Sequence, residues 1–234
     1  MANLLAIDTS TAWCSVALSL GDQAPELRHE AVSAGSSQLL LPWIESLLKK
    51  ANISLKDLDA IAVGVGPGAF TGVRLGVAVV QGLAVSNNLP VISVISLDAI
   101  AAELVGTPEF QKVNPRRFLV AIDARMGEVY WATYDTQANQ LPKRISEIRL
   151  TQPEDINLDG VDYLAGSAVN AYQERLPPFI GSIDAKIAIS ALGILKHGRQ
   201  LLADGMQHDI EQLQPLYVRN KVAFTTAERK EVLK

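Results

Sequence analysis

Residues 63–76 read V-G-V-G-P-G-A-F-T-G-V-R-L-G. An apolar, β-branched run at 61–65 leads into them and predicts a buried strand. Glycines at 64, 66, 68 and 72, together with Pro67, then forbid regular structure for several residues. From Thr71 the apolar residues resume at helical spacing, and a helix can run to about Asn87. Strand, glycine-rich turn and helix start, in that order, aim backbone N–H groups at a point where a phosphate or carboxylate could sit. A plainer reading is equally open: a tight turn that packs the helix on its own sheet. Arg74, in the first helical turn, is disfavoured by the helix dipole unless an anion or a carboxylate meets it. Two familiar phosphate loops are excluded. No Gly-Lys pair exists for a P-loop, and Ala69 takes the last glycine of a dinucleotide fingerprint that Pro67-Gly68 already interrupts.

Outward from this stretch the chain reads as α/β. A strand pair, 4–8 and 14–18, is joined by Thr9-Ser10-Thr11-Ala12-Trp13. Asp8 closes the first strand beside hydroxyl residues, a turn that could face a phosphate or a metal; capping of the turn explains the carboxylate equally well. A shift of 115 residues lays Leu4, Ala6, Ile7, Asp8 and Ala17 on Leu119, Ala121, Ile122, Asp123 and Ala132. Each copy is an apolar strand, a terminal Asp, a short turn and a return strand, with a second apolar run further on (61–65, then 163–165). Two such halves with a cleft between them resemble the duplicated, ribonuclease H-like layout of the actin-like ATPase and sugar-kinase superfamily. The predicted division is a first lobe at 1–107, a second at 108–213 and a tail at 214–234 that packs back on the lobes. The second turn carries Ala124, Arg125 and Met126 where a phosphate wants small residues and bare backbone. Arg125 and Glu128 are expected to pair with each other or to meet a partner.

Composition sets the limits. At 48% hydrophobic and 20% charged the chain is too apolar for extended disorder. A net charge of −4 gives no general cationic field, so any RNA contact must be local or supplied by a partner. A single cysteine, Cys14, in a strand context points to a reducing compartment and a core position. The start of the chain shows no basic leader, and the apolar stretch at 76–85 is too short to cross a bilayer. A soluble, cytoplasmic protein is expected. Residues 36–51 predict a helix with Leu40, Ile44, Leu47 and Leu48 on one side, and Pro42 either kinks it or lies near its start. Residues 96–105 predict a helix crossing between the halves, 108–117 a linker, and 187–203 a long amphipathic helix. His29, His197 and His208 lack metal-ligand spacing, and no nucleophile elbow is present. Gly72, Gly76, Val80 and Ala84 recur at four-residue steps, a stripe that either admits a partner helix or packs on the protein's own sheet.

The opening A-I-D-T-S-T, the loop G-P-G-A-F-T-G-V-R-L-G, the segment I-D-A-R-M-G-E-V-Y and the late P-L-Y-V-R occur in the order of the TsaB (YeaZ) family, which the chain resembles over most of its length. The resemblance implies an actin-like fold and a non-catalytic role in tRNA threonylcarbamoyladenosine biosynthesis. It implies binding to the homologous catalytic subunit TsaD, with the ATPase TsaE joining, a homodimer when alone, and tRNA contact only through the complex. No cofactor and no metal are expected; Asp8, Thr9, Ser10 and Asp123 would be vestiges of a nucleotide site. The helices at 36–51 and 71–87 would form the docking face, with Leu40, Ile44, Leu47, Gly72, Arg74, Gly76 and Val80 as its residues. On that assignment Gly76→Leu weakens association and leaves the unfolding midpoint unchanged. A self-sufficient actin-like kinase or ATPase is the alternative, and a metallopeptidase a weaker one. Ser36 stands where many family members carry a histidine, and 223–226 lacks an expected lysine.

Overall fold

The computed structural model describes residues 2–32, 35–138 and 140–219. In it β1 (Leu4–Asp8), β2 (Trp13–Ser19) and β3 (Glu26–Ala31) form an antiparallel meander, and α1 (Ser36–Lys50) carries the chain back past β1. β4 (Ala60–Gly66), α2 (Phe70–Val85) and β5 (Val91–Ile95) follow, and the two strands add in parallel to give the order β3-β2-β1-β4-β5. After α3 (Ser96–Leu104) and α4 (Pro108–Val113) the pattern starts again. β6 (Arg117–Arg125), β7 (Glu128–Asp135) and β8 (Lys143–Arg144) form the second meander, on which β9 (Arg149–Thr151) also pairs with β7. β10 (Tyr163–Ala165), α5 (Ala168–Tyr172) and β11 (Ser182–Asp184) complete the order β11-β10-β6-β7-β8, and α6 (Ala191–Ala203) is the last α-helix among the described residues. Strand for strand, the second sheet repeats the first, and β1 falls on the part of β6 that the 115-residue shift predicts. The fold is the duplicated, actin-like two-lobed α/β arrangement.

Alternation along β1 sorts the core. Leu5 and Ile7, with Ile61 and Val63 of β4, face α1 and α2. Leu4 and Ala6, with Ala62, Ile92 and Val94, face α3 and α6. Phe118, Val120, Tyr134 and Tyr163 of the second sheet join that same cluster, so α3 and α6 form a layer shared by both sheets. Leu119, Ala121, Trp131 and Leu164 fill the far side of the second sheet, beside α5. Two small residues bring α6 close: a Cβ on Gly198 would lie 2.9 Å from the Ala62 Cβ, and one on Gly193 would overlap the Ala99 carbonyl.

Several elements differ from the sequence reading. Residues 108–113 are not linker but helix. Thr107 Oγ1 accepts from the Phe110 N–H at 3.3 Å, Pro108 takes the first turn, where a missing N–H costs nothing, and Phe110 is buried. Pro42 lies inside α1. The last helix starts at Ala191, not near 187, because Ser190 Oγ caps it by accepting from the Leu192 N–H. That helix, assigned from sequence to the second lobe, lies on the first sheet. Of the tail, 214–219 runs along the first lobe and reaches the second, and 220–234 lies outside the described residues.

Candidate functional site

The first turn is built into the glycine-rich loop. Asp8 is 1% exposed, and its carboxylate accepts from both the N–H and the Oγ–H of Ser10 at 3.0 Å. Thr9 Oγ1 donates to the Gly72 carbonyl at 2.7 Å, and the Ala69 N–H donates to the Ser10 carbonyl at 2.6 Å. The glycines are required by contact with this turn. A Cβ on Gly64 would overlap the Asp8 carboxylate, one on Gly68 the Ser10 carbonyl, and one on Gly72 the Thr9 carbonyl. The loop therefore holds the protein's own Asp8–Ser10 backbone, the plainer of the two readings, and the Ala69 N–H at the start of the helix is already used. Burial pushes the Asp8 carboxyl up to about 7, although both Ser10 hydrogen bonds pull it down. Beside this turn Trp13 stacks on His29 with ring centroids 4.4 Å apart, and His29 Nδ1 lies 2.9 Å from Ser15 Oγ.

The second turn is held by side chains. Asp123 Oδ1 accepts from the Arg125 N–H and from Tyr172 Oη–H, both at 2.7 Å, and Oδ2 lies 3.2 Å from Arg125 Nη1. Burial and the bond to Asp123 raise the Tyr172 hydroxyl to about 12. A bulge falls between Asp123 and Arg125, and Arg125 and Met126 sit at φ 62° and 57°, a left-handed region that non-glycine residues rarely occupy. Arg125 thus pairs with Asp123, and Glu128 pairs with Arg219 of the tail; the predicted Arg125–Glu128 pair does not form. Arg74 also departs from expectation, since its partners are aromatic. Its guanidinium lies 3.7 Å above the Phe70 ring, and its Nε–H donates to Tyr217 Oη at 2.9 Å. Between the two turns lies a cleft of about 840 Å³, with Ser10 and Trp13 on one wall, Asp123 and Arg125 on the other, and Tyr217 and Arg219 along its edge. Asp8 and Thr9 do not reach that lining. Among the described residues no three His, Cys, Asp or Glu side chains gather as a metal-ligand set.

Comparison with known proteins places this geometry. A family model described as "TsaD: tRNA N6-adenosine threonylcarbamoyltransferase" matches residues 30–177. The chain is 35% identical over 236 residues to the tRNA threonylcarbamoyladenosine biosynthesis protein TsaB of Escherichia coli, covering 97% of this chain and 99% of that one. It belongs to the TsaB family. The TsaB of Haemophilus influenzae is 40% identical over 129 residues, 55% of this chain and 52% of its own. A crystal structure from Pseudomonas aeruginosa, named for its similarity to the peptidase YeaZ, superposes with a TM-score of 0.83 at 36% identity over 94% of this chain and all of that one.

Against the TsaB docking face expected from sequence, the structure makes a residue-level correction. Leu40, Ile44, Leu47, Gly76 and Val80 are buried in the chain's own core, and Gly72 is turned onto Thr9. A Cβ on Gly76 would lie 3.0 Å from Thr9 Oγ1 and 3.5 Å from Val63 Cγ2, so Gly76→Leu must disturb the monomer. Helical spacing puts 72, 76, 80 and 84 on one side, and that side faces the sheet. Of the residues assigned to the face, Arg74 alone is exposed. The outward side of α2 presents Ala78, Gly82 and Val85, flanked by half-buried Leu75, Val79 and Leu83; Gly82 has nothing within 4 Å of a Cβ position. Ser36, where the resemblance led to a histidine being expected, begins α1, and burial pushes the Cys14 thiol up to about 11. Positions 223–226 lie outside the described residues. Tyr172, Tyr217 and Arg219 were missed as site residues. Arg219 lies in a quoted motif, yet its contacts are on average some ninety residues away in sequence, and no local pattern announces them.

Proposed function

We propose that this chain is a non-catalytic docking subunit in tRNA threonylcarbamoyladenosine biosynthesis. It binds a TsaD-type catalytic subunit, joined by the ATPase TsaE, in the assembly that places a threonylcarbamoyl group on the adenosine beside the anticodon of tRNAs reading codons that start with A. The observation that carries this reading is the filled loop. The backbone donor at the start of α2 and the glycine clearances serve Thr9 and Ser10, and Asp123 is committed to Arg125 and Tyr172. A nucleotide phosphate finds neither turn open, which also disfavours the kinase alternative.

The docking face moves to the outward side of α2 with α1 beside it, where Ala78 and Gly82 let a partner helix approach closely. The same face serves a homodimer when the chain is alone. Gly82→Leu is expected to weaken partner binding about 5- to 150-fold, the effect of roughly 1–3 kcal/mol of overpacking, with the monomer unfolding midpoint unchanged. Reconstitution tests the role. Modified tRNA should form from this chain, a TsaD-type partner, TsaE with ATP, tRNA and the threonylcarbamoyl adenylate, and should not form when the TsaD-type partner is omitted. Product made by this chain alone, or a calorimetric ATP site of micromolar affinity, would overturn the reading.

A further inference from the structure

Residues 213–219 touch both lobes, with Leu213 buried, Gln214 and Tyr217 exposed and the rest half-buried. Gln81 Nε2–H, late in α2, donates to the Leu213 carbonyl at 3.0 Å, and the Leu216 N–H donates to the Val65 carbonyl at 2.8 Å, at the start of the glycine-rich loop. Tyr217 accepts from Arg74 in the first turn of α2, and its ring leans on Phe70 with centroids 5.9 Å apart. Two residues on, Arg219 crosses to the second lobe. Its Nη2 donates to the carbonyls of Ala124 at 3.2 Å and Arg125 at 3.3 Å and to the Glu128 carboxylate at 2.5 Å, with its side chain only 13% exposed.

The two carbonyls explain why an arginine is needed there. The bulge between Asp123 and Arg125 takes Ala124 out of the strand ladder, and the left-handed Arg125 and Met126 turn the backbone tightly into β7 at Glu128. Backbone acceptors left in that state need a donor from elsewhere. The planar guanidinium meets these three acceptors with the two N–H groups of Nη2, one of them shared, while its buried Nε–H finds no partner among the described residues. Met126, whose sulfur lies 2.8 Å from Arg219 Nη1, closes the contact.

We propose that residues 213–219 are a clasp that sets the opening between the lobes, with Arg219 as its catch on the second-lobe turn. The clasp grips α2 along its length before crossing, so it ties the helix proposed above as the docking face to the wall of the cleft; only that last consequence rests on the proposed function. When the catch is released, the second lobe swings on its remaining contacts through α3 and α6 and the cleft widens.

The test uses the full chain alone, so its outcome is independent of any partner. Cys14 is buried, and spin labels on Asp22→Cys and Glu174→Cys, exposed in the first and second lobes, report their separation. Arg219→Ala is expected to broaden the distance distribution and shift it to longer values, and to speed hydrogen exchange at the Leu216 amide by about tenfold or more. Arg219→Lys should fall between wild type and Arg219→Ala. Lys50→Ala, which removes an exposed ion pair elsewhere, should leave both readouts at wild type. Thermal unfolding of each variant separates lobe opening from global loss of structure. An Arg219→Ala variant that is folded, with unchanged distances and unchanged Leu216 protection, overturns the proposal; so does a variant that unfolds as a whole with no opened native state at low temperature.

Discussion

The first-lobe turn at 8–12 and the second-lobe turn at 123–127 end equivalent strands with the same residue, and they are held in opposite ways. The first is locked by main chain: its carbonyls sit where Cβ atoms of Gly68 and Gly72 would otherwise be, and its aspartate is closed off from water. The second is locked by side chains: the Asp123 carboxylate, which accepts from Tyr172, also accepts from the Arg125 N–H, and Arg219 donates to the Ala124 and Arg125 carbonyls of a backbone in an unfavourable conformation. The difference teaches where each turn can tolerate change. A turn fixed by backbone clearance fails at its glycines, whereas a turn fixed by side chains loses its contacts one at a time.

The largest expected effect is Gly72→Ala. The added methyl meets the Thr9 carbonyl, a backbone atom that cannot rotate away, and the loss of stability should reach about 4 kcal/mol or more, in the range that marks a specific structural conflict. Denaturant midpoints measure it. A loss as small as that of a surface substitution would show that the turn yields, and would erase the contrast between the lobes.

Asp8 gives the next effect, and its sign is set by burial. Its carboxyl is raised from 3.8 to about 7 in the folded chain, so between about pH 4 and pH 7 the native state keeps a proton that the unfolded chain has lost. This contribution to stability is fully present below about pH 4 and is lost as pH rises through about 7. Asp8→Asn, neutral at every pH, should flatten that slope and raise stability at pH 8 by on the order of 2–4 kcal/mol, with no gain at pH 4. Chemical denaturation at the two pH values separates these outcomes, and an equal gain at both would show that the carboxylate is not what titrates.

Tyr172→Phe should cost only about 1 kcal/mol, the net worth of one hydrogen bond. Asp123→Ser should cost a similar amount, because its ion pair is with an Arg125 side chain that is 78% exposed and screened by water. If either matched Gly72→Ala in the same denaturation assay, the second turn would be as rigidly determined as the first, and the comparison would have to be redrawn.

Much of this was legible in the sequence because it is local. The strand, glycines and helix of 63–76 announce themselves by spacing, and the strand–Asp–turn–strand repeat gave the two sheets their shared order. The direction of α2 was not legible. Val73, Val77 and Val80 are buried while Leu75, Val79 and Leu83 are half-buried, so apolar residues surround the helix and no polar face marks the outside. The pairing of Arg74 with Tyr217 and of Glu128 with Arg219 was hidden for a different reason: the partners lie on different elements, joined by the fold and not by spacing, whereas Phe70, four residues before Arg74 on α2, was within reach of a sequence reading. The helix at 108–113 could have been found, since Thr-Pro-Glu is a helix start as much as it is a linker.

The place of α6 has a consequence for how the chain is made. Leu4, Ala6, Ala62, Ile92 and Val94 are all synthesised within the first hundred residues, yet part of their cover, Ile194 and Leu195, emerges from the ribosome after the entire second sheet. The N-terminal half therefore leaves the exit tunnel with one apolar face incompletely clothed, and it stays so for roughly 5–20 s of elongation. A nascent chain stalled between residues 100 and 190 should then be a substrate for holding chaperones, and release of the last helix is the event that ends that exposure.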